Sequence, residues 1–189
     1  GLDVTATKSY ITATIPPDEH CGIYITIKGL QGGHSGIDIH KGRGNANKIL
    51  NRLLYGQDEN GLKLSTFEGG SLRNAIPRES KALVAVKMEK KDELLDSLTK
   101  RSLDIKNEYA SLEPNLSIEI SDTDTPKEII SLVDQKILLN AIYSAHNGVF
   151  RMSPDIADLV EASNNVAKID IKDGLAKILC LTRSSVESS

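Results

Sequence analysis

Aromatic side chains are scarce in this 189-residue chain, where they make up 4% of the residues and tryptophan is absent. Proteins that grip apolar ligands or stack nucleic-acid bases carry more aromatic surface. A strong charge of one sign is missing too, because the net charge is −3 and acidic and basic residues are interspersed. Such a chain does not attract a phosphate backbone. We therefore expect no nucleic-acid partner.

Cysteines and long apolar runs are equally few. Cys21 and Cys180 are the only cysteines, far apart and outside CxxC spacing, which indicates free thiols in a reducing compartment. No signal peptide opens the chain, and no apolar stretch approaches the ~20 residues of a membrane helix. These absences predict a cytoplasmic protein without a membrane partner. Because the chain begins at Gly1 without Met and ends without a stop signal, we expect a piece of a larger protein.

The standard motifs of hydrolysis and group transfer are also missing. Of the four histidines, only His34 and His40 are near one another, and Asp38 is the single acidic residue at ligand-like spacing. The sequence therefore predicts no complete metal site. It contains neither the G-x-S-x-G nucleophile elbow nor a phosphate loop. Taken alone, the chain cannot run a standard hydrolytic or transfer mechanism.

Hydrophobic periodicity predicts the order strand, helix, strand, strand, helix, strand over residues 16–122. The elements are predicted, in that order, at residues 23–28, 45–54, 62–66, 82–88, 94–109 and 116–120. The run from Ala82 to Met88 is apolar on both faces, which is typical of a central strand. This order is the split βαβ pattern, so the predicted fold class is α+β, with two helices on one face of an antiparallel, ferredoxin-like sheet.

Residues 1–15 and 123–189 are predicted to form a second, smaller α/β lobe beside this first lobe, within one domain of residues 1–189. Thr125-Pro126-Lys127-Glu128 combines an N-cap, a proline at the first helical position and a glutamate three residues after the cap, and predicts a helix that runs to Asn147-Gly148. Asp173-Gly174 predicts a hairpin turn. Strands are predicted at residues 4–15, 167–171 and 175–181.

A glycine-rich motif directly follows the first strand of residues 16–122. Residues 32–36 read GGHSG, so small residues surround His34 at the end of a rigid element. The glycines leave the imidazole unhindered and allow another chain or a ligand to approach closely. The alternative is that the glycines only turn the chain, while His34 caps or packs.

These residues resemble a known family. Residues 28–36 read KGLQGGHSG, residues 39–48 IHKGRGNANK, residues 69–79 GGSLRNAIPRE and residues 180–185 CLTRSS. In order and spacing they are similar to the aminoacyl-histidine dipeptidases, cytosolic enzymes of the di-zinc metallopeptidase family. The resemblance implies that this chain is the lid domain of such an enzyme. The parent's two zinc ions would lie in a separate catalytic domain, so the lid alone would hold no metal and hydrolyse nothing.

The same resemblance implies roles for three residues in the hydrolysis of Xaa-His and related dipeptides. His34 would be the catalytic residue of the lid, stabilising the tetrahedral oxyanion opposite a zinc-activated water. Asn74 would contact the substrate through its amide. Arg183 would bind the C-terminal carboxylate of the dipeptide with its guanidinium.

Simpler interpretations of these positions remain open. Asn74 can instead set the turn before Pro77, and Arg183 can be a solvated strand residue. His40 and Arg43 are expected to cap or brace the following helix rather than touch substrate.

Three functions fit the sequence. The first is the substrate-capping lid, whose partners are a dipeptide and the parent catalytic domain. The second, compatible with it, is a dimerisation module, because the split βαβ unit has exposed edge strands that a second copy can pair with. The third is a stand-alone, ferredoxin-like ligand-binding domain.

Overall fold

Twelve strands and three α helices make up residues 1–186, the part of the chain that the computed structural model describes. The strands are β1 (Leu2–Ser9), β2 (Thr12–Thr14), β3 (His20–Lys28), β4 (Gly33–His34), β5 (Lys63–Gly69), β6 (Ala75–Ile76), β7 (Ser80–Lys87), β8 (Ser117–Thr123), β9 (Glu128–Ile130), β10 (Gly148–Met152), β11 (Val160–Lys172) and β12 (Leu175–Ser184). The helices are α1 (Ala46–Leu54), α2 (Lys91–Tyr109) and α3 (Leu132–Ser144). Residues 187–189, which the second lobe was predicted to include, lie outside the described residues.

One eight-stranded sheet forms the centre of the molecule, in the order β1-β12-β11-β5-β7-β3-β8, with β10 beside β11. All of its strand pairings are antiparallel. Strands β11 and β5 pair through Ile171 and Phe67, so strands of the two predicted lobes share one sheet. The α+β class predicted from periodicity is confirmed, and β7 is the central strand that its two apolar faces predicted. The division into lobes stays a prediction.

The helices pack against the sheet through the apolar residues that recur at helical spacing. Helix α1 contacts both α2 and α3 and lies over β3, β7 and β11. Its apolar residues recur every three or four positions and are fully buried. Alternate residues of β3, Ile23, Ile25 and Ile27, are buried in the same core. Because the apolar residues of α1 and β3 are buried against each other, they position the segment between these two elements, which contains His34.

The predicted helix start at Thr125 is wrong. Residues Glu128–Ile130 form strand β9, which pairs with β2, and α3 begins after Ser131, whose hydroxyl accepts a hydrogen bond from the Asp134 N–H. Strand β9 buries Ile129 with Ile15 and Ala85 in a second, small apolar cluster. Ala85 is adjacent in β7 to the core residues Val84 and Val86, so it points to the opposite face of the sheet. Burial of that face outweighs the local helix signal. The helix also ends at Ser144, before the predicted Asn147.

The predicted strand of residues 4–15 is instead two strands with different partners. Strand β1 pairs with β12, and β2 pairs with β9. The chain changes direction at Tyr10 and Ile11, where the Tyr10 N–H donates to the Gly174 carbonyl and the Ile11 N–H donates to the Asp134 carboxylate. The hairpin turn is confirmed, because Asp173 and Gly174 both have positive φ, as a two-residue turn of this kind requires.

Candidate functional site

His34 lies at the end of the two-residue strand β4, half-buried, where the chain enters a turn. Its Nδ1 atom accepts hydrogen bonds from the backbone N–H groups of Gly36 and Ile37, at 3.1 and 3.2 Å. A ring nitrogen that accepts hydrogen bonds carries no proton, so the proton of the neutral imidazole is on Nε2. The local backbone therefore makes Nε2–H the hydrogen-bond donor of this side chain.

Asp38 holds this turn in shape. Its Oδ2 accepts a hydrogen bond from the His34 N–H at 2.8 Å, and its own N–H donates to the His34 carbonyl at 2.8 Å. Lys41 Nζ donates to Oδ1 at 2.7 Å. The hydrogen bond from Lys41 and then that from the His34 N–H lower the pKa of Asp38 to about 2. The carboxylate is therefore ionised at neutral pH and can accept both hydrogen bonds.

The predicted bracing of the following helix by His40 and Arg43 is wrong. Arg43 Nη1 donates to the Gly32 carbonyl at 2.6 Å and lies 3.9 Å from Asp38 Oδ2, so its guanidinium braces the turn that holds His34. His40 is exposed. Helix α1 is capped by Asn45, whose side chain accepts hydrogen bonds from two N–H groups of the first helical turn.

Arg183 and His34 line one cavity, although 149 positions separate them in the sequence. The cavity has a volume of about 280 Å³. Its lining includes His34, Gly36, Ile37, Glu161, Ser163 and Arg183. Arg183 lies on β12 opposite Ser163 of β11. Its Nε atom is buried without a hydrogen-bond partner among residues 1–186. Because Arg183 lines the cavity, its guanidinium can bind an anion that enters there.

Gly36 is the residue that allows these two side chains to lie so close. A Cβ atom at this position would be 3.2 Å from Arg183 Cζ and 3.2 Å from His34 Cε1, tighter than ordinary van der Waals contact. Any larger residue would push the guanidinium or the imidazole away. Glycine at position 36 of the motif therefore has a steric reason.

Asn74 lies beside the same turn but does not line the cavity. Its carbonyl accepts a hydrogen bond from the Ser35 N–H at 2.8 Å, and His34 pairs with Ala75 across β4 and β6. Within the described chain its side chain is exposed and has no hydrogen-bond partner. The structure therefore brings His34 and Arg183 together, while Asn74 presents a free amide at the edge of the turn.

Three polar residues of β11 near this site were not predicted from the sequence. Glu161 is 5% exposed, lines the cavity and pairs with Arg151 Nε at 3.2 Å. Ser163 also lines the cavity, and Asn165 donates to the Ala75 carbonyl at 2.8 Å. The three residues occupy alternate positions, so they share one face of the strand. That alternation of polar residues was the available signal.

A larger cavity of about 670 Å³ lies beside the β4–β6 pair. It is lined by Gly33, Ala75, Ile76, Pro77, Arg78 and neighbouring residues of β5 and β7. None of the three predicted site residues lines it. The chemistry expected from the sequence therefore points to the smaller cavity of His34 and Arg183.

Residues 1–186 contain no group of three or more His, Cys, Asp or Glu side chains arranged to hold a metal ion. These residues do not fit the two zinc ions, which the resemblance places in a separate catalytic domain of the parent enzyme. Across the same residues, no helix is both long and apolar enough to cross a bilayer.

The sequence and the fold of this chain are similar to those of known peptidase domains. Residues 25–111 match the family model of the peptidase dimerisation domain. It is 40% identical, over all 189 of its residues, to the cytosol non-specific dipeptidase of Escherichia coli (strain K12). The resemblance to the dipeptidases that the motifs indicated is confirmed.

A solved structure supports the same relationship. The chain superimposes with a TM-score of 0.94 on the aminoacylhistidine dipeptidase from Vibrio alginolyticus, with 38% identity over 98% of this chain. It spans 39% of the length of the Escherichia coli protein and 38% of the Vibrio alginolyticus chain. The relationship therefore concerns a domain of about two fifths of each relative.

Proposed function

We propose that this chain is the substrate-capping lid of a longer cytoplasmic dipeptidase that hydrolyses Xaa-His and related dipeptides. The observation that carries the proposal is the shared cavity, in which the His34 imidazole, with Nε2–H as its donor, and the Arg183 guanidinium both lie against Gly36. A hydrogen-bond donor and a cation that line the same cavity suit two groups of a dipeptide, the carbonyl of its peptide bond and its terminal carboxylate. The names of the two relatives support the choice of substrate.

The proposed roles follow from the donors each side chain offers. His34 Nε2–H donates to the carbonyl oxygen as it becomes an oxyanion, and no proton needs to move because the donor is already on the outward nitrogen. Arg183 binds the substrate carboxylate with its planar guanidinium. Asn74 offers an amide donor and acceptor at the edge of the turn. The two zinc ions would belong to the parent's catalytic domain, where they would activate the attacking water.

Self-association is the second proposed function, and it is compatible with the first. The matched family is described as a dimerisation domain. The strands of residues 16–122 lie side by side in the order β8-β3-β7-β5, so β8 is at one edge of the sheet. Along the chain, α1 connects β3 to β5 and α2 connects β7 to β8, which we interpret as the split βαβ arrangement. An unpaired edge strand is a ready site for a second copy of the chain. A stand-alone ligand-binding domain is the remaining alternative, and nothing in the geometry favours it over the lid.

Substitution of Arg183 tests the lid in the full-length protein that contains this chain. We expect Arg183→Ala to raise KM more than it lowers kcat, because the substrate carboxylate has the same charge in the ground and transition states. Loss of a charge-assisted bidentate contact should cost roughly 10–150-fold in kcat/KM. Arg183→Lys should rescue only in part, since an ammonium lacks the planar fork.

The control is a dipeptide amide without the free carboxylate. Wild-type enzyme should hydrolyse the amide poorly, and Arg183→Ala should lose little further activity on it. If the substitution slows the amide and the free acid by the same factor, Arg183 does not bind the carboxylate.

A further inference from the structure

A buried carboxylate outside the cavity closes the loop that holds His34. Glu113 follows α2 and is 2% exposed. Its Oε2 accepts a hydrogen bond from the Gln31 N–H and its Oε1 accepts one from the Gly44 N–H, both at 2.8 Å. Gln31 and Gly44 are the first and last residues of a segment that we call the His34 loop, residues 31–44. One carboxyl group therefore binds both ends of this loop.

The surroundings of Glu113 show that these two N–H groups are its principal partners. Among residues 1–186 the carboxylate makes no ion pair, and its hydrogen bonds are those of the His34 loop. Its own backbone is fixed, because the Glu113 N–H donates to the Tyr109 carbonyl at 2.7 Å and the Glu113 carbonyl accepts from the Leu116 N–H at 3.0 Å. Gln31 also donates through its side chain to the Leu112 carbonyl. The end of α2 thus provides a rigid base for the loop.

We propose that Glu113 is a positioning residue for His34, which it serves by closing the base of the His34 loop; this rests on the proposed role of His34. A carboxylate can accept at both oxygens, whereas an amide has one oxygen and one NH₂ group. Glutamine at this position would direct N–H donors at one of the two backbone N–H groups. Because a loop without a fixed base samples more conformations, the imidazole would spend less time in the geometry that hydrolysis needs.

Hydrogen exchange of this chain tests the closure without reference to catalysis. In the wild-type chain the Gln31 and Gly44 amides should be protected together. We expect Glu113→Gln to speed amide exchange across residues 31–44 roughly 10–100-fold, since each charge-assisted hydrogen bond contributes to holding the loop closed. Exchange in α1 and β7 should change little. Glu108→Gln is the matched control, because it makes the same chemical change near the end of the same helix, where Glu108 pairs with Arg52 on the surface.

Kinetics of the full-length protein test the link to His34. Glu113→Gln should lower kcat by roughly 10-fold or more and leave the KM of a dipeptide within about twofold, because Arg183 lies on β12, which is held by its pairing with β1 and β11. Glu108→Gln should leave both constants unchanged. If Glu113→Gln does not fold, two other measurements decide the question. One is the exchange rates of the wild-type chain, and the other is the same experiment on Glu113→Asp, whose shorter side chain cannot reach both N–H groups at once.

Two measurements can overturn the proposal, and each has a decisive result. One is rapid exchange of the Gln31 and Gly44 amides in the wild-type chain, or unchanged exchange of residues 31–44 in the variant. The other is an unchanged kcat in Glu113→Gln while His34→Ala lowers kcat. If His34→Ala itself leaves kcat unchanged, the proposed role of His34 fails, and the exchange measurement still decides whether Glu113 closes the loop.

Discussion

At the scale of the residue, the local backbone determines what His34 can do. Two N–H groups of the turn bind Nδ1, so Nε2 carries the proton of the neutral ring and is free to donate. Asp38 and Arg43 hold the turn from the other side. The spacing of residues 32–36 predicted an unhindered histidine. The sequence could not predict the tautomer, because that depends on where the backbone donors lie in three dimensions.

We expect His34→Ala in the full-length protein to lower kcat by roughly 10²–10³-fold, with little change in folding stability. The donor acts mainly in the transition state, and the half-buried ring has few packing contacts to lose next to glycines. Steady-state kinetics and urea denaturation check the two parts. His40→Ala is a suitable control, since His40 is an exposed histidine six positions along that does not line the cavity. Unfolding of His34→Ala, with full activity in the folded fraction, would show that His34 is structural.

At the scale of the element, a side chain of one helix supplies hydrogen-bond donors to the end of another helix. Lys48 of α1 donates from Nζ to the carbonyls of Ile142, Tyr143 and Ala145, at 2.6, 2.8 and 2.8 Å. These carbonyls lie at the end of α3, where the helix itself supplies no donors. Burial lowers the pKa of Lys48. The sequence predicted α1 from its periodicity and a helix that includes α3 from start signals, but a contact across 94 positions leaves no local signal.

Lys48→Met should therefore destabilise the chain by about 1–3 kcal/mol, because methionine keeps most of the apolar stem and leaves three carbonyls without their shared donor. Urea denaturation followed by circular dichroism measures the change in the free energy of unfolding. Lys100→Met, at an exposed position of α2, should change it by less than about 0.5 kcal/mol. Equal effects of the two substitutions would mean that Lys48 does not stabilise the end of α3.

The wrong prediction of a helix that starts at Thr125 is also explained at the scale of the element. Thr125-Pro126-Lys127-Glu128 satisfies the local rules for a helix N-terminus, yet Glu128–Ile130 pairs with Thr12–Thr14. The pairing buries Ile129 against Ile15 and Ala85. Propensity contributes tenths of a kcal/mol per residue, whereas burying an isoleucine contributes about 1.5–3 kcal/mol. The long-range contact wins where the two disagree.

At the scale of the whole molecule, one antiparallel sheet with a single main core joins all three helices. We expect the purified 189-residue chain to fold cooperatively, to bind no stoichiometric zinc and to hydrolyse no dipeptide. The apolar core supports the folding, and the described residues contain no cluster of metal ligands. Thermal unfolding, zinc content by elemental analysis and a dipeptidase assay check the three parts. Tight, stoichiometric zinc with turnover would contradict the lid.

The sequence by itself determined the elements whose signals are local. A period-two pattern predicted β3, a run that is apolar on both faces predicted β7, and period-3.6 patterns predicted α1 and α2. Asp173-Gly174 predicted the β11–β12 turn, and in each case neighbouring residues decide the conformation. The glycines around His34 predicted an unhindered histidine for the same reason. Tertiary structure alone decided that Arg183 shares a cavity with His34 and that Glu113 closes the His34 loop. Those contacts join residues 149 and about 70–80 positions apart, and only the burial of the common sheet and core brings them together.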